Sequence, residues 1–170
     1  DVSNVETVIK GAQDIIAETV SEDERARHQL RGAFNREAII SSKVVKTKAD
    51  SEEAQKYSDY FDFSEPLKKC SSHRLLAMRR GENEGILRVS ISADDDNCID
   101  KLKRLFVNGS GRCSRLVAEA TEDSYKRLLK PAIETEFAAL SKDKADEEAI
   151  SVFTENLRQL LETDFPEYPY

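Results

Sequence analysis

Few side chains in this sequence have the types and spacing that catalysis requires. His28 lies in a charged helical segment and His73 in the first turn of another, and the sequence has only these two histidines. Side-chain catalysis needs partner groups that converge in one pocket, and a zinc site needs three or four protein ligands. A lone histidine on a helix surface is more often structural or solvated than catalytic. We therefore expect no catalytic residue, no metal site and no cofactor, and hence no enzyme.

Three further groups of residues resemble reactive motifs without meeting their requirements. Cys70, Cys98 and Cys113 are odd in number and widely spaced, which is typical of reduced thiols rather than of disulfides or a zinc ribbon. The run 94–96 is acidic but lacks the glycine and the distal glutamate of a calcium loop, so it is better explained as a helix cap. The Gly-Ser-Gly at 109–111 is too short for a phosphate-binding loop and predicts a turn.

The basic residues of the middle of the chain form the strongest chemical signal. The net charge is −7, and the acidic residues concentrate at the ends, with seven acids and one lysine in residues 1–24 and ten acids and three bases in residues 134–170. Clustered lysine and arginine neutralise phosphates and release counterions, so the middle predicts a phosphate-facing surface. The candidate nucleic-acid contacts are Lys68, Lys69, Arg74, Arg79, Arg80, Lys101, Lys103, Arg104, Arg112 and Arg115.

The same basic residues also have a structural explanation. In the folded chain they could pair with the acidic terminal helices or solvate helix surfaces, which is what charge runs usually do. The sequence leaves both explanations open.

Hydrophobic periodicity predicts a mainly α fold, an elongated multi-helix domain with a small two-stranded antiparallel sheet. Ser3 with Glu6 and Ser21 with Glu24 have the spacing of capping boxes, which predicts two consecutive helices near the start of the chain. The apolar stripe of the first helix is predicted to comprise Val5, Val8, Ile9, Ala12, Ile15, Ile16 and Val20.

The two predicted strands are the β-branched run 39–45 and the alternating run 87–93, which we expect to pair with each other. A helix is predicted from Ser51 through Phe61, ending before Pro66. Towards the end of the chain, one helix should carry Pro131 in its first turn.

A final helix is expected to be capped by Asp146. Its predicted apolar stripe comprises Ala149, Ile150, Phe153, Leu157, Leu160 and Leu161. Residues 1–163 would form the helical region, with a possible subdivision near 94–112, and residues 164–170 a tail or linker. No apolar run approaches the roughly 20 residues of a membrane span, so we expect a cytoplasmic protein without membrane contact.

Several sequence stretches carry a resemblance to a known family. They are Lys-Tyr-Ser-Asp-Tyr-Phe-Asp at 56–62, Ser-Glu-Pro-Leu at 64–67, the stretch from Ser72 to Gly85 that contains Arg-Arg-Gly-Glu-Asn-Glu-Gly, the stretch from Asp123 to Pro131, and Ala-Asp-Glu-Glu-Ala-Ile at 145–150. In order and spacing the chain resembles the Tex family of bacterial transcription accessory proteins, from about Val2 to Leu161.

The resemblance implies an excised part of a longer, multi-domain protein, which agrees with Met78 being its only methionine. It implies the helical region that precedes an RNase H-like domain, with helix-hairpin-helix elements and an OB-fold RNA-binding module further on. The expected function is that of a non-catalytic scaffold in a protein that binds RNA or DNA. Its partners would be nucleic acid through the full-length parent and other domains of the parent, with the transcription machinery as a further candidate. A second hypothesis is a protein-interaction module that docks through its acidic amphipathic helices without touching nucleic acid.

Overall fold

The computed structural model describes residues 2–163, and the predicted tail at 164–170 lies outside this range. The described residues are mainly helical, as predicted. The elements in chain order are α1 (Val2–Glu22), α2 (Glu24–Glu37), β1 (Ile39–Val44), α3 (Glu52–Gln55), β2 (Asp62–Pro66), α4 (Ser72–Asn83), β3 (Leu87–Ser92), α5 (Asp95–Phe106), α6 (Arg112–Ser124), a π-helical turn (Tyr125–Leu129) and α7 (Lys130–Thr163).

The sheet has three antiparallel strands, so the prediction of two strands is corrected. The expected neighbours β1 and β3 do lie side by side, and β2 is added on the other side of β1. The third strand, Asp62–Pro66, begins directly after Phe61, the last residue of the predicted helix, where no strand was predicted. Of the predicted helix only α3 forms, followed by a single 3₁₀ turn at Ser58–Tyr60.

The sequence of β2 lacks the apolar alternation that is typical of a strand. Among its five residues only Phe63 is a large apolar residue, and Pro66 ends the strand. Proline has no N–H to donate and is tolerated on edge strands, and β2 is an edge strand. A mostly polar edge strand therefore gives little periodic signal for a sequence-based prediction.

Helix boundaries at the start of the chain differ from the predicted capping boxes. Ser3 lies inside α1, which already includes Val2, so Ser3 is not the N-cap of this helix. The N-cap of α2 is Asp23, whose carboxylate accepts the backbone N–H of Arg25, whereas Ser21 donates its hydroxyl to the carbonyl of Glu18. Asp94 does cap α5 as predicted, by accepting the N–H groups of two residues in its first turn.

The last third of the described chain is one continuous helical path, which replaces the two separate helices predicted there. The chain passes from α6 through the π-helical turn into α7, and Asp146 lies inside α7 rather than at its start. Pro131 is the second residue of α7, in its first turn as predicted, and only Lys130 separates it from the π-helical turn. A proline clashes with the carbonyl four residues earlier, and a widened turn is one way to relieve that clash without ending the helix.

The chain forms two compact units. Unit 1 comprises residues 2–40, 66–68 and 90–137, and unit 2 comprises residues 41–65, 69–89 and 138–163. The predicted subdivision near 94–112 stays a prediction. The core of unit 1 is helical, and the rings of Phe34 and Phe137 meet there with centroids 5.2 Å apart.

Unit 2 is built around a smaller cluster beside the sheet. Its buried members are Ala54, Tyr57, Ile86 and Leu87. Gly81 of α4 is in contact with this cluster, because a Cβ at that position would lie 2.6 Å from Cδ1 of Leu87. The absence of a side chain at this glycine therefore allows α4 to approach β3 closely.

Candidate nucleic-acid interface

Arg79, one of the ten predicted contacts, is mostly buried in unit 2. Its side chain is 12% exposed, and its Nη1 lies 2.9 Å from Oε1 of Glu82, one turn further along α4. The second oxygen of Glu82 accepts the backbone N–H of Val89 in β3 at 3.1 Å. Arg79 therefore belongs to a bridge between α4 and β3.

Two further arginines of α4 also have acidic partners in unit 2. Arg74 pairs with Glu65 of β2 at 3.2 Å, and that carboxylate is largely buried. Arg80 lies 3.5 Å from Glu84 but remains 75% exposed. Glu65 offsets the charge of Arg74, whereas Glu84 also pairs with Lys56 at 3.3 Å and offsets the charge of Arg80 only in part.

Lys68 and Lys69 form the end of a 3₁₀ turn between β2 and α4. Both side chains are exposed. Lys68 belongs to unit 1 and Lys69 to unit 2. Neither unit therefore contains both lysines.

The remaining five predicted contacts come together in unit 1, on α5 and α6. These two helices pack against each other and are connected by residues 107–111. Lys103 pairs with Glu122 of α6 at 3.6 Å. Within residues 2–163, no acidic side chain forms an ion pair with the other four, which we call the α5–α6 tip: Lys101, Arg104, Arg112 and Arg115.

Local sequence explains why these four cations share one end of the helix pair. Lys101 and Arg104 are three residues apart, as are Arg112 and Arg115, so each pair lies on one side of its helix. With a rise of about 1.5 Å per residue, all four lie within about 8 Å, along their helix axes, of the connecting loop. The loop is closed by Gly109 at φ +81°, a conformation that favours glycine, and by a 2.5 Å hydrogen bond from the Ser114 hydroxyl to the carbonyl of Asn108.

The electrostatic environment of the α5–α6 tip is unusual at the start of α6. A helix N-terminus carries a positive partial charge, which acidic residues normally offset. The first turn of α6 has no acidic residue, its N-cap Gly111 offers no side chain, and Arg112 and Arg115 add further positive charge. Among residues 2–163, no carboxylate lies within ion-pair distance of the four cations of the tip, although Asp100 and Glu119 stand one helical turn from Arg104 and Arg115.

The opposite end of α5 is held by a partly buried polar cluster. Tyr125, fully buried in the π-helical turn, donates its hydroxyl to Asp95 at 2.6 Å, and the Nζ of Lys130 lies 3.0 Å from the same carboxylate. Burial alone would raise the pKa of Asp95, but these hydrogen bonds outweigh it and the pKa is lowered. Burial and the bond to Asp95 raise the pKa of Tyr125, so the phenol stays protonated and donates.

One cation beside the tip was missed by the sequence analysis. The guanidinium of Arg25 lies 5.6 Å from the ring centroid of Phe106, the last residue of α5, and also pairs with Asp23 at 3.0 Å. The two residues are far apart in the sequence, so no local pattern connects them. Arg25 differs from the tip residues because its charge is compensated.

A family model described as "Tex central region-like" matches residues 1–153. The chain belongs to the Tex central region family. This membership confirms the resemblance stated from the sequence, and it covers both units of the structure.

Among curated proteins, this Tex central region is similar to YdcI of Bacillus subtilis, with 42% identity over 92% of the chain. It is also similar to the transcriptional accessory protein Tex of Neisseria gonorrhoeae, with 31% identity over 95% of the chain. The human S1 RNA-binding domain-containing protein 1 is 28% identical over 95% of the chain. The chain spans 22% of the length of the first two relatives and 17% of the third.

The described part of this Tex central region neither groups potential metal ligands nor includes a membrane-spanning helix. There, no three His, Cys, Asp or Glu side chains are grouped in a way that could hold a metal ion. No described helix combines the length and the apolar character of a membrane span.

The predicted apolar stripes of the first and last helices are only partly buried. In α1, Val20 is buried but Val8 is 70% exposed. In the second half of α7 the whole stripe is exposed, with Phe153 at 67%. Exposed apolar residues at helical spacing are typical of surfaces that contact another protein segment.

Proposed function

We propose that this Tex central region is a non-catalytic scaffold segment of a cytoplasmic, nucleic-acid-associated transcription accessory protein, and that its α5–α6 tip contacts phosphates. The observation that carries the proposal is the set of four tip cations without an acidic partner among the described residues. Uncompensated lysine and arginine can exchange their counterions for phosphates, whereas cations already held in ion pairs gain less.

Two of the relatives support an association with nucleic acid. One is named a transcriptional accessory protein, and another is named for an S1 RNA-binding domain. Because the chain spans about a fifth of these proteins, we place its contribution within a longer parent whose other domains also bind. The scaffold role would bring the tip and the nucleic-acid-binding modules of the parent to the same strand, and the transcription machinery is a further partner of the parent in this proposal.

A salt titration of binding tests this proposal. Two triple variants are compared with the unchanged chain: Arg104, Arg112 and Arg115 to alanine in the tip, and Lys10, Lys43 and Lys46 to alanine elsewhere on the surface. Both remove three exposed positive charges, so overall charge is matched. We expect the tip variant alone to lose salt-dependent binding to nucleic acid while its circular dichroism is unchanged. Equal losses in both variants would contradict a localised phosphate contact.

A second candidate function is protein docking through the acidic amphipathic helices α1 and α7. The exposed side chains of Ile150, Phe153 and Leu157 favour it, because they repeat at the spacing of a helix-packing seam. Removing tip arginines would leave such docking unchanged. Changing Phe153 and Leu157 to serine would abolish it, which separates the two candidates in a pull-down with the remaining domains of the parent.

A further inference from the structure

We infer that the α5–α6 tip recognises the phosphodiester backbone of a duplex rather than a single strand. This inference rests on the proposed function and specifies its ligand. Single-stranded nucleic acid is usually held by a basic groove together with aromatic side chains on which the bases stack. A duplex keeps its bases stacked internally and offers phosphates on its outside.

The aromatic side chains of unit 1 are not available for stacking. Unit 1 contains four of them among its described residues, and three are buried in its core: Phe34, Tyr125 and Phe137. The fourth, Phe106, is partly buried and lies beneath the guanidinium of Arg25 at 5.6 Å. Bases of a single strand would thus find cations at the tip but no free aromatic face.

The exposed imidazole of His28 is the remaining ring in the described part of unit 1. It lies on α2, one helical turn after Arg25. Histidine can stack on a base, so its contribution has to be measured separately.

The charge density of the ligand favours the duplex further. Duplex DNA carries about one negative charge per 1.7 Å of axis, and each phosphate contact contributes about 0.9 to the salt slope, against about 0.7 for a single strand. Four cations at one end of a helix pair therefore gain more from a duplex. Long cationic side chains also carry little base-specific information when they contact phosphates, so binding should be independent of sequence.

The test uses the full 170-residue chain and three kinds of labelled probe of equal length: a DNA duplex and an RNA duplex, each in two unrelated sequences, and a single-stranded RNA. Affinity is measured by fluorescence anisotropy between about 50 and 200 mM salt, a range over which four phosphate contacts weaken duplex binding about 100-fold. The variant changes Lys101, Arg104, Arg112 and Arg115 to alanine. The control changes four exposed lysines elsewhere: Lys10, Lys43, Lys46 and Lys144.

We expect at least one duplex to bind several-fold more tightly than the single strand, with equal affinity for two unrelated duplex sequences. The tip variant should lose most of the salt dependence, and the control variant and His28→Ala should retain it. The two kinds of duplex probe distinguish the B-form from the A-form backbone. Tighter binding of the single strand, lost in the tip variant, would overturn the duplex inference and leave the proposed function standing. Binding that the tip variant retains in full would overturn both.

Discussion

Two basic runs that look alike in the sequence have different surroundings in the folded protein. In the run of unit 2, Arg74, Arg79 and Arg80 each have a glutamate within ion-pair distance. The run in unit 1 ends in the α5–α6 tip, which has no such partner among the described residues. The comparison teaches that two basic runs of similar sequence can differ in the ion-pair partners that the fold gives them.

The largest expected effect comes from removing the most buried member of the run in unit 2. Arg79→Ala would leave Glu82 without its cation and would remove a mostly buried side chain between α4 and β3. We expect the free energy of unfolding to fall by about 2–3 kcal/mol. Urea denaturation measures it, with Arg104→Ala as the matched control, which should change stability by less than about 0.5 kcal/mol. Equal effects for the two variants would break the distinction between the runs.

A second substitution tests how closely α4 must approach β3 for that bridge to form. Gly81→Ala would place a methyl group 2.6 Å from Cδ1 of Leu87, so the leucine must move within a packed cluster. Overpacking of this kind costs about 1–3 kcal/mol. The midpoint of thermal unfolding should fall accordingly. Gly11→Ala is the control, since a Cβ there meets nothing within 4 Å and α1 should gain helix propensity.

Removing a hydrogen bond that supports α5 in unit 1 should have an intermediate effect on the free energy of unfolding. Tyr125→Phe removes the hydroxyl that donates to Asp95 at 2.6 Å and keeps the buried ring. Because Asp95 is partly exposed and retains Lys130, we expect a loss of only about 1 kcal/mol. Urea denaturation at neutral pH checks this value. A loss as large as that of Arg79→Ala would mean that the hydroxyl has a structural role beyond this bond.

The carboxylate of Asp95 should also make the free energy of unfolding depend on pH. The folded-state pKa of Asp95 lies below its ordinary value of 3.8, so its contribution is present above that pH and is lost as the pH falls through the lowered pKa. The stability of Asp95→Asn should therefore depend less steeply on pH below about 4 than that of the unchanged chain. Chemical denaturation across pH 3–6 measures both slopes. Parallel curves would show that Asp95 is not perturbed by folding.

Sequence reasoning succeeded where the determinants are local and failed where partners are distant. The Asp94 cap, the strand at Leu87–Ser92 and the turn at Gly109 each depend on a few adjacent residues, and all three are confirmed. The pairing of Arg74 with Glu65 depends on the position of β2, a mostly polar strand that was not predicted from the sequence.

The long helix α7 illustrates a different limit. A proline and an acidic residue preceding an apolar stripe are typical helix-start signals, so the sequence predicted two starts. The chain instead accommodates Pro131 through the preceding π-helical turn, which is held by the bond from buried Tyr125 to Asp95 of α5. Tertiary contacts of this kind override local signals and cannot be read from spacing.

The smallest expected effect comes from adding one negative charge beside the α5–α6 tip. Ser110→Glu would place a carboxylate in the exposed loop between Arg104 and Arg112, where the sequence has no acid. The new charge should weaken nucleic-acid binding by about two- to five-fold at low salt, and the effect should fade as salt screens it. Ser110→Gln is the control for side-chain size and should bind as the unchanged chain does. If both substitutions weaken binding equally, the loop acts through its shape, and the charge distinction between the two basic runs would not explain binding.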